Sequence, residues 1–443
     1  MKNKNKILPI TAVLGAGLLL TACNKADNGN KLADLANNSV QVEAKTNKNV
    51  EKYKKDSENT IKALNSFSGK TFNELIKYNF DNNNFKSQIY SPYSYLSALE
   101  LLYDNSYYSK DNELSKYNGI NLNKYKYDNV KSENLALVNI KKGVDINKIK
   151  KLNNFKAVKF PKQAEEESKN LQKRVLNEIL LQSKYDDPDL SLILLNATRF
   201  EGIWDNKFNK SLTEEENYTL LDGKTIKTKI MHSEDLAAVD SALGYEDKNV
   251  QIYRKPVNTE ENIKKTIQYN SVQSTGDVYI ISPRGLGKDL NKNKQIISNI
   301  SKNIEKYVNE FDEKAKEYDD IYVDMPRLDI KNDINLGKIA KKNNKKFITD
   351  DYDLKEKTGM KDMQKISSIF QAASLKLDED KVDAKAVTEV NMVTTALIEN
   401  KKEMYIKADH PYFIVITARN KNKDRKEKDS IIFMAFVNNP TQK

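Results

Sequence analysis

The chain has 443 residues, of which 38% are hydrophobic and 9% aromatic, and this is enough apolar surface for one large packed core. The composition therefore excludes an intrinsically disordered chain. The formal net charge is +11, but lysines and acidic residues are interspersed throughout, so the charge makes no case for a nucleic-acid-binding protein.

The N-terminus has the plan of an export signal. The basic stretch MKNKNK precedes the run ILPITAVLGAGLLLTAC, which is short for a membrane span. Its end, LTAC, resembles the bacterial lipobox, in which the signal is cleaved before the cysteine and the cysteine is then acylated. We therefore expect a signal peptide at residues 1–22, a membrane anchor through lipidated Cys23, and an extracytoplasmic location in a bacterial cell envelope. An ordinary signal with a chance cysteine is the alternative.

Cys23 is the only cysteine, so the mature chain would have no disulfide, cysteine nucleophile or cysteine-based metal site. The residues that follow are polar and lack a long apolar face. We expect residues 23–58 to be a flexible tether and residues 59–443 to fold as one large domain.

Apolar spacing predicts the main elements in chain order. Helices are expected in ENTIKALNSFSGKTFNELIKY, with a break at its glycine, in SPYSYLSALELLY and in EEESKNLQKRVLNEILLQSK. Strands are expected in LSLILLNATRF, GDVYIISP, DIYVDMPRLDI, PYFIVITAR and DSIIFMAFVNNP. Helices dominate the first half and strands the second, which is typical of the α+β class.

One further segment, KVDAKAVTEVNM (381–392), alternates small or apolar residues with mostly polar ones, as a half-buried strand does. The next residues, TTALIENKKEMY, lose the alternation and indicate an exposed loop.

Catalytic motifs are absent from the sequence. His232 and His410 are the only histidines and neither stands in a catalytic motif, so we expect structural roles for both. GLGK (285–288) lacks the rest of a phosphate-binding loop and predicts a turn, as does the acidic run at 214–216. We expect no enzyme activity, no metal and no cofactor.

Six segments, in order, resemble the serpin family. They are SPYSYLSALELLY, LLNATRFEGIWDNKFNKSLTEEENYTLLDGKTIKTKIMH, DMPRLDI, ISSIFQAASLKLDED, KADHPYFIVI and FMAFVNNP. The resemblance implies the serpin fold: an α+β domain with a large mixed or antiparallel sheet, further sheets, about eight or nine helices and an exposed reactive-centre loop that can insert into the sheet.

The resemblance also implies a mechanism. In serpins a protease cleaves the loop, and the cut loop inserts as a new central strand while the protease is still acylated, which distorts and traps it. The implied function is suicide-type inhibition of a serine protease, or alternatively a cysteine protease, by a monomer. Insertion into a neighbour's sheet would give loop–sheet polymers.

Alignment with the family places the inserting hinge at Glu379, Lys381, Val382, Ala384, Ala386 and Thr388. The even-numbered residues from Val382 would face inward after insertion. Lys381 stands where inhibitory serpins usually have glycine, and Lys385 interrupts the small residues. Both would face outward, so insertion is hampered and not forbidden.

The candidates for the reactive bond are Thr395, Ala396, Asn400, Lys401 and Lys402. Counting from the hinge gives the bond between Thr395 and Ala396, and counting back from Pro411 gives the bond between Asn400 and Lys401. A trypsin-like protease would take Lys401 or Lys402, whereas an elastase-like or subtilisin-like protease would take Thr395 or Leu397.

The family also implies residues that control the opening of the sheet, namely Ser91, Ser94, Asn196, Trp204 and Gln371. Gln371 replaces the usual histidine and can still form hydrogen bonds. Three other functions stay open: a non-inhibitory serpin-fold lipoprotein that acts as a binding scaffold, which Lys381 favours; a surface hydrolase; and a polyanion binder, suggested by charge alone.

Overall fold

The computed structural model describes residues 58–103, 122, 125–179, 185–186, 190–233, 242–269, 274–349, 355–360, 366, 368–382, 402–420 and 428–442. They belong to one compact unit, Glu58–Lys443. The predicted signal peptide and Cys23 lie outside the described residues. Within the described residues no helix has the length and apolar character needed to span a membrane.

The described part of the chain is a mixture of helices and strands. The helices are α1 (58–81), α2 (Pro92–Tyr103), α3 (Ile146–Ile149), α4 (Lys162–Leu176), α5 (Glu260–Tyr269), α6 (Leu290–Asn309), α7 (Phe311–Lys314), α8 (Leu336–Lys342), α9 (Lys346–Thr349) and α10 (Lys355–Thr358). The strands are β1 (Gln88–Tyr90), β2 (Val130–Asn139), β3 (Phe155–Val158), β4 (Leu192–Phe200), β5 (Gly202–Trp204), β6 (Glu214–Thr219), β7 (Thr225–His232), β8 (Ala242–Glu246), β9 (Val250–Asn258), β10 (Gly276–Pro283), β11 (Lys316–Tyr318), β12 (Asp320–Pro326), β13 (Leu328–Asn335), β14 (Ser368–Leu377), β15 (Lys381–Val382), β16 (Glu403–Lys407), β17 (Tyr412–Ala418) and β18 (Ser430–Val437).

The described strands form two sheets. The large sheet has the order β1-β18-β17-β10-β9-β5-β15-β14-β4-β2-β3, with β13 paired to β14, β8 to β9 and β11 to β8. Its β4–β14 and β2–β3 pairs are parallel and its other pairs are antiparallel. The small sheet has the order β16-β12-β7-β6. The α+β class and the large mixed sheet predicted from the sequence are confirmed.

Strand β4 explains why its sequence is a continuous apolar run. Leu192 and Leu194 belong to the main core, which also contains Leu96 and Leu99 of α2. Three other residues of β4 belong to a second core, which also includes residues of α4. These β4 residues are Ile193, Leu195 and Ala197. Successive side chains of a strand point to opposite faces, so both faces of β4 are buried beneath helices, as predicted.

Three predictions about local structure are wrong. The glycine break in α1 is absent, because Gly69 lies inside the helix and its missing side chain lets Glu305 of α6 approach closely. DIYVDMPRLDI forms two strands, β12 and β13. Residues 214–216 begin the exposed strand β6 and do not form a turn. Among the described residues of the first half, helices α1–α4 contain more residues than strands β1–β6, as predicted. Residues 285 and 288 lie in bends before α6, and residues 286 and 287 between them have no regular structure.

Candidate functional site: the fork between β4 and β14

The centre of the large sheet contains a fork. Strands β4 and β14 pair in parallel from Ile193 with Ser368 to Ala197 with Ala372. Within the described residues, no ladder pair joins residues 373–376 of β14 to β4, although β13 pairs with β14 along its other edge. The two strands are therefore joined at one end of the pair and separated at the other.

The predicted hinge begins at the open end of this fork. After β14 the chain turns at residues 378–381, and the Asp378 carboxylate accepts the backbone N–H groups of Asp380 and Lys381, each at 3.1 Å. The chain then returns as β15, in which Val382 pairs with Leu377 on one side and with Gly202 on the other. Strand β15 is antiparallel to both neighbours, so it points into the fork.

The carboxylate of Glu379 holds this hinge turn in place. Its Oε1 accepts Arg327 Nε at 2.6 Å, Arg327 Nη2 at 2.5 Å and Thr213 Oγ1 at 2.5 Å. Glu379 is only 1% exposed, and burial disfavours its charged form. The hydrogen bonds from Arg327 and Thr213 outweigh that burial and hold the pKa of Glu379 below its ordinary value. The backbone oxygen of Glu379 also accepts the Phe208 N–H at 3.0 Å.

Trp204 donates two hydrogen bonds to the same turn. Its indole N–H donates to the carbonyl of Asp378 at 2.8 Å, and its backbone N–H donates to the carbonyl of Asp380 at 3.3 Å. The Asp380 carboxylate pairs with Lys207 at 3.3 Å and with Lys210. The buried ring makes an edge contact with Phe208. Trp204 therefore has a packing and positioning role at the hinge.

Sequence reasoning missed Lys255 of β9, which lies under the two aromatic rings. Its Nζ is 5.6 Å from the Trp204 ring centroid and 4.7 Å from that of Phe208. The residue is 2% exposed, and burial lowers its pKa to about 8 even though Asp205 favours the charged form. VQIYRKPVN reads as a half-buried strand, and nothing in it identifies Lys255 as the buried cation.

Ser91 and Gln371 were predicted to control the opening of the sheet, and they are hydrogen-bonded to each other near the joined end of the fork. Gln371 Oε1 accepts the Ser91 N–H at 2.8 Å, and Gln371 Nε2 donates to the Ser91 carbonyl at 2.8 Å. The Ser91 hydroxyl donates to the Ile432 carbonyl of β18 at 2.8 Å. Gln371, which stands where the family usually has histidine, thus ties β14 to the start of α2.

Ser94 and Asn196 complete the connection on the β4 side. The Ser94 hydroxyl donates to Asn196 Oδ1, which also accepts Thr198 Oγ1 at 2.9 Å. Asn196 Nδ2 donates to Asn134 Oδ1 and, at 3.3 Å, to Ser132 Oγ in β2. Asn196 and Gln371 are partners in the β4–β14 register. The four residues Ser91, Ser94, Asn196 and Gln371 therefore form one buried network across the fork.

The structure places one of the five reactive-bond candidates. Lys402 precedes β16, and its backbone N–H donates to Asp319 Oδ2 at 2.6 Å while its carbonyl accepts the Asp319 N–H at 2.8 Å. Its Nζ donates to the Glu317 carbonyl at 2.6 Å and lies 4.4 Å from the Tyr318 ring centroid. The other candidates and the rest of the hinge lie outside the described residues: Ala384, Ala386, Thr388, Thr395, Ala396, Asn400 and Lys401.

The histidines lie in the described part and contact no nucleophile there. His232 Nδ1 lies 2.8 Å from Asp324 Oδ1, and its Nε2 lies 3.0 Å from Glu216 Oε1, all within the small sheet. His410 Nδ1 lies 3.2 Å from the Pro411 carbonyl. Among the described residues there is also no group of three or more potential metal ligands.

Comparison with known proteins gives the family. The family model described as Serpin (serine protease inhibitor) matches residues 169–440. Serpin A3-1 of Bos taurus is 23% identical over 260 residues, 58% of this chain and 54% of the relative. Serpin-Z2 of Arabidopsis thaliana is 24% identical over 222 residues, 50% of this chain and 45% of the relative. The chain thus spans about half the length of these curated relatives.

Solved structures extend the likeness to nearly the whole described domain. Serpin48 of the insect Tenebrio molitor has a TM-score of 0.63 at 16% identity and covers 86% of this chain and 98% of its own. Tengpin, a thermophilic serpin in its native state, has a TM-score of 0.63 at 17% identity, with 85% and 94% covered. At such identities the structures establish the fold, and the family model establishes the membership. The chain belongs to the serpin family.

Proposed function

We propose that this chain is a suicide-type inhibitor of serine proteases, or alternatively of cysteine proteases, and that it traps the acyl-enzyme by inserting its cleaved loop into the fork. The observation that supports this most is the placement of β15. It is already hydrogen-bonded to β14 and β5 and antiparallel to both, so the cleaved chain can continue this strand in the same register.

The register of β15 specifies where each hinge residue would go. Val382 pairs with Leu377 and Gly202, so Ala384 would lie between Leu375 and Phe200 if the register continued. Ala386 would then lie between Ala373 and Thr198, still within the open part of the fork. Small side chains at these positions enter a packed sheet with little steric obstruction.

Insertion must open the sheet from Val387 onward, because in this register Val387 would lie between Ala372 and Ala197, which are paired with each other. Thr388 is the next residue. In the same register it would lie between Gln371 and Asn196, which are now paired with each other. Further insertion therefore requires β4 and β14 to separate and the network around Gln371 to rearrange. Cleavage of the loop removes the constraint that its two ends stay joined, so it makes this step possible.

Lys381 is compatible with this mechanism. The usual glycine would supply conformational freedom at the hinge. Here Lys381 adopts extended strand conformation and pairs with Ile203, so this turn closes without a left-handed residue at that position. Successive side chains of a strand point to opposite faces, so the side chain of Lys381 would face outward when Val382 takes an inward position.

The contacts of Lys402 favour a reactive bond on its N-terminal side. A trypsin-like protease inserts the side chain of the residue before the reactive bond into its S1 pocket, and insertion of Lys402 would break the hydrogen bond from its Nζ to Glu317. Lys401 offers a cationic side chain without that loss. We therefore propose the Lys401–Lys402 bond or the Asn400–Lys401 bond ahead of a bond after Lys402.

Anchoring to the membrane through Cys23 forms a second part of the proposal. The lipobox-like LTAC before a polar tether supports it. The domain would then act outside the cytoplasm, anchored in a bacterial cell envelope. Mass spectrometry of the N-terminal peptide of the mature chain from the membrane fraction should find an acylated Cys23, whereas an unmodified Cys23 or an uncleaved signal would contradict lipid anchoring.

A non-inhibitory binding scaffold is the second candidate. Lys381 in the hinge favours it, because the glycine usual in inhibitory serpins is absent there. Such a protein would be cleaved in its loop as an ordinary substrate.

Trapping is tested with the chain lacking residues 1–22 and carrying Cys23→Ser, incubated with trypsin, elastase and subtilisin. An SDS-resistant band at the summed mass is expected, and sequencing of the new end gives the reactive bond. Thr388→Arg places a charge on the inward phase and should convert the inhibitor into a substrate. Glu389→Arg, one residue later and on the outward phase, is the matched control and should still trap. Cleavage of the parent chain without any such band would favour the scaffold.

A further inference from the structure

Two tyrosines stack on the outward surface of the small sheet. Tyr322 of β12 and Tyr405 of β16 are directly opposite in the parallel register, with ring centroids 4.7 Å apart and planes at 13°. Tyr405 is 56% exposed, and its hydroxyl donates to Glu403 Oε2 at 2.8 Å. Tyr405 therefore presents an exposed ring that is stacked on the partly buried ring of Tyr322.

The pair does not contribute to the core. Its neighbours along each strand point inward and are buried: Ile321, Val323, Met404 and Ile406. A cross-strand aromatic pair stabilises a sheet by roughly 0.2–1 kcal/mol, which polar or branched residues would also provide. Tyrosine is enriched among the few residues that dominate protein interfaces, because a rigid ring gives much contact area at little entropic cost.

The position of the pair defines its partner. Tyr405 follows Lys401 by four residues, and an extended chain spans about 3.4 Å per residue, so Tyr405 lies within roughly 14 Å of a reactive bond at Lys401. A standard protein interface covers about 800 Å² on each partner, equivalent to a disc of about 16 Å radius. A protease seated on that bond therefore reaches the small sheet.

The near end of the loop is also fixed relative to the tyrosines. The hydrogen bonds between Lys402 and Asp319 hold the chain beside β12 immediately before β16 begins. The direction from the end of the loop to Tyr405 is thus set by the sheet. A fixed distance and direction from the end of the loop to the tyrosine pair suits recognition of one protease surface.

We propose that Tyr322 and Tyr405 form a second contact surface for the protease that takes the loop, and that this contact raises the rate of complex formation. The inference rests on the proposed inhibitory function. It predicts a target protease with an apolar patch on the primed side of its substrate cleft. The contact acts before acylation, so it affects encounter and not loop insertion.

The test uses whichever of trypsin, elastase and subtilisin forms an SDS-resistant complex with the parent chain. The second-order rate constant and the stoichiometry of inhibition are measured for Tyr405→Ala, Tyr322→Ala and Tyr405→Phe. Each alanine variant should lower the rate constant by about tenfold with the stoichiometry unchanged, and Tyr405→Phe should keep the parent rate. Ile146→Ala truncates a 47% exposed apolar residue on α3 and is the matched control.

The outcomes separate the two proposals. A parent chain that forms no complex with any of the three proteases overturns the inhibitory function and this inference with it. A parent complex with unchanged rates in both alanine variants overturns the contact surface alone. The contact surface is also overturned if the alanine variants change only the stoichiometry of inhibition and keep the parent rate constant. It is overturned likewise if sedimentation shows a dimer that depends on the tyrosines while the rate constant is unchanged.

Discussion

Replacement of Gln371 by leucine should loosen the fork at the position where the proposed insertion would open it. The Gln371 amide satisfies both backbone groups of Ser91, at 2.8 Å each, and the residue is 1% exposed. Leucine has a similar volume and can form neither hydrogen bond. The N–H and C=O of Ser91 would lose these partners in a buried setting.

The expected loss follows from these two contacts. A buried backbone group left without its partner costs about 1–3 kcal/mol, and part of this is recovered by local relaxation or water. We therefore expect Gln371→Leu to lower the free energy of unfolding of the uncleaved form by about 2–4 kcal/mol. Asn196 would remain on the opposite strand, so β4 keeps its own hydrogen bonds.

Two assays measure this effect. Guanidinium unfolding of the uncleaved protein should show a lower midpoint, and a synthetic peptide with the sequence KVDAKAVTEVNM should anneal into the fork faster. Native gels should also show more polymer after mild heating. Gln371→His, the residue usual in the family, is the control and should fall between parent and leucine variant. An unchanged midpoint together with unchanged peptide uptake in Gln371→Leu would refute the role of this network.

Three further predictions concern single groups. Folding lowers the pKa of Glu379, so the contribution of its charged form to the stability of the fold is complete above its ordinary pKa and is lost as the pH falls through the folded value. Melting temperatures measured from pH 7 to pH 3 should show this loss in the parent chain and not in Arg327→Gln. Folding lowers the pKa of Lys255 to about 8, so stability relative to Lys255→Met should rise between pH 8 and pH 10.5 in denaturant titrations. The buried Tyr412 hydroxyl has no hydrogen-bond partner among the described residues, so Tyr412→Phe should raise the free energy of unfolding by about 1 kcal/mol, and a lower melting temperature would contradict this.

Strong periodic patterns made much of the fold predictable. The run around Leu194 is apolar because both faces of β4 are covered, and the sequence alone indicated this. The family motifs placed Trp204 and Gln371 at sheet positions, and the structure finds both in contact with the elements that frame the fork. These residues were accessible to sequence reasoning because short segments carry them.

Contacts between distant segments could not be predicted in this way. The carboxylate of Glu379 depends on Arg327 and Thr213, which come from two other parts of the chain. Gly69 reads as a helix break until the neighbouring Glu305 is known. Lys255 reads as an ordinary strand residue, since its burial depends on the rings that cover it. In each case the deciding information is tertiary packing.

The most direct test of the account is the stability of the protein before and after cleavage within residues 395–402. If the cut loop extends β15 through the fork, it gains ladder hydrogen bonds on both edges, of order 10 kcal/mol in total, and the melting temperature should rise by tens of degrees. Thr388→Arg should abolish this rise and Glu389→Arg should keep it. A cleaved parent chain that melts at the same temperature as the intact one would contradict insertion.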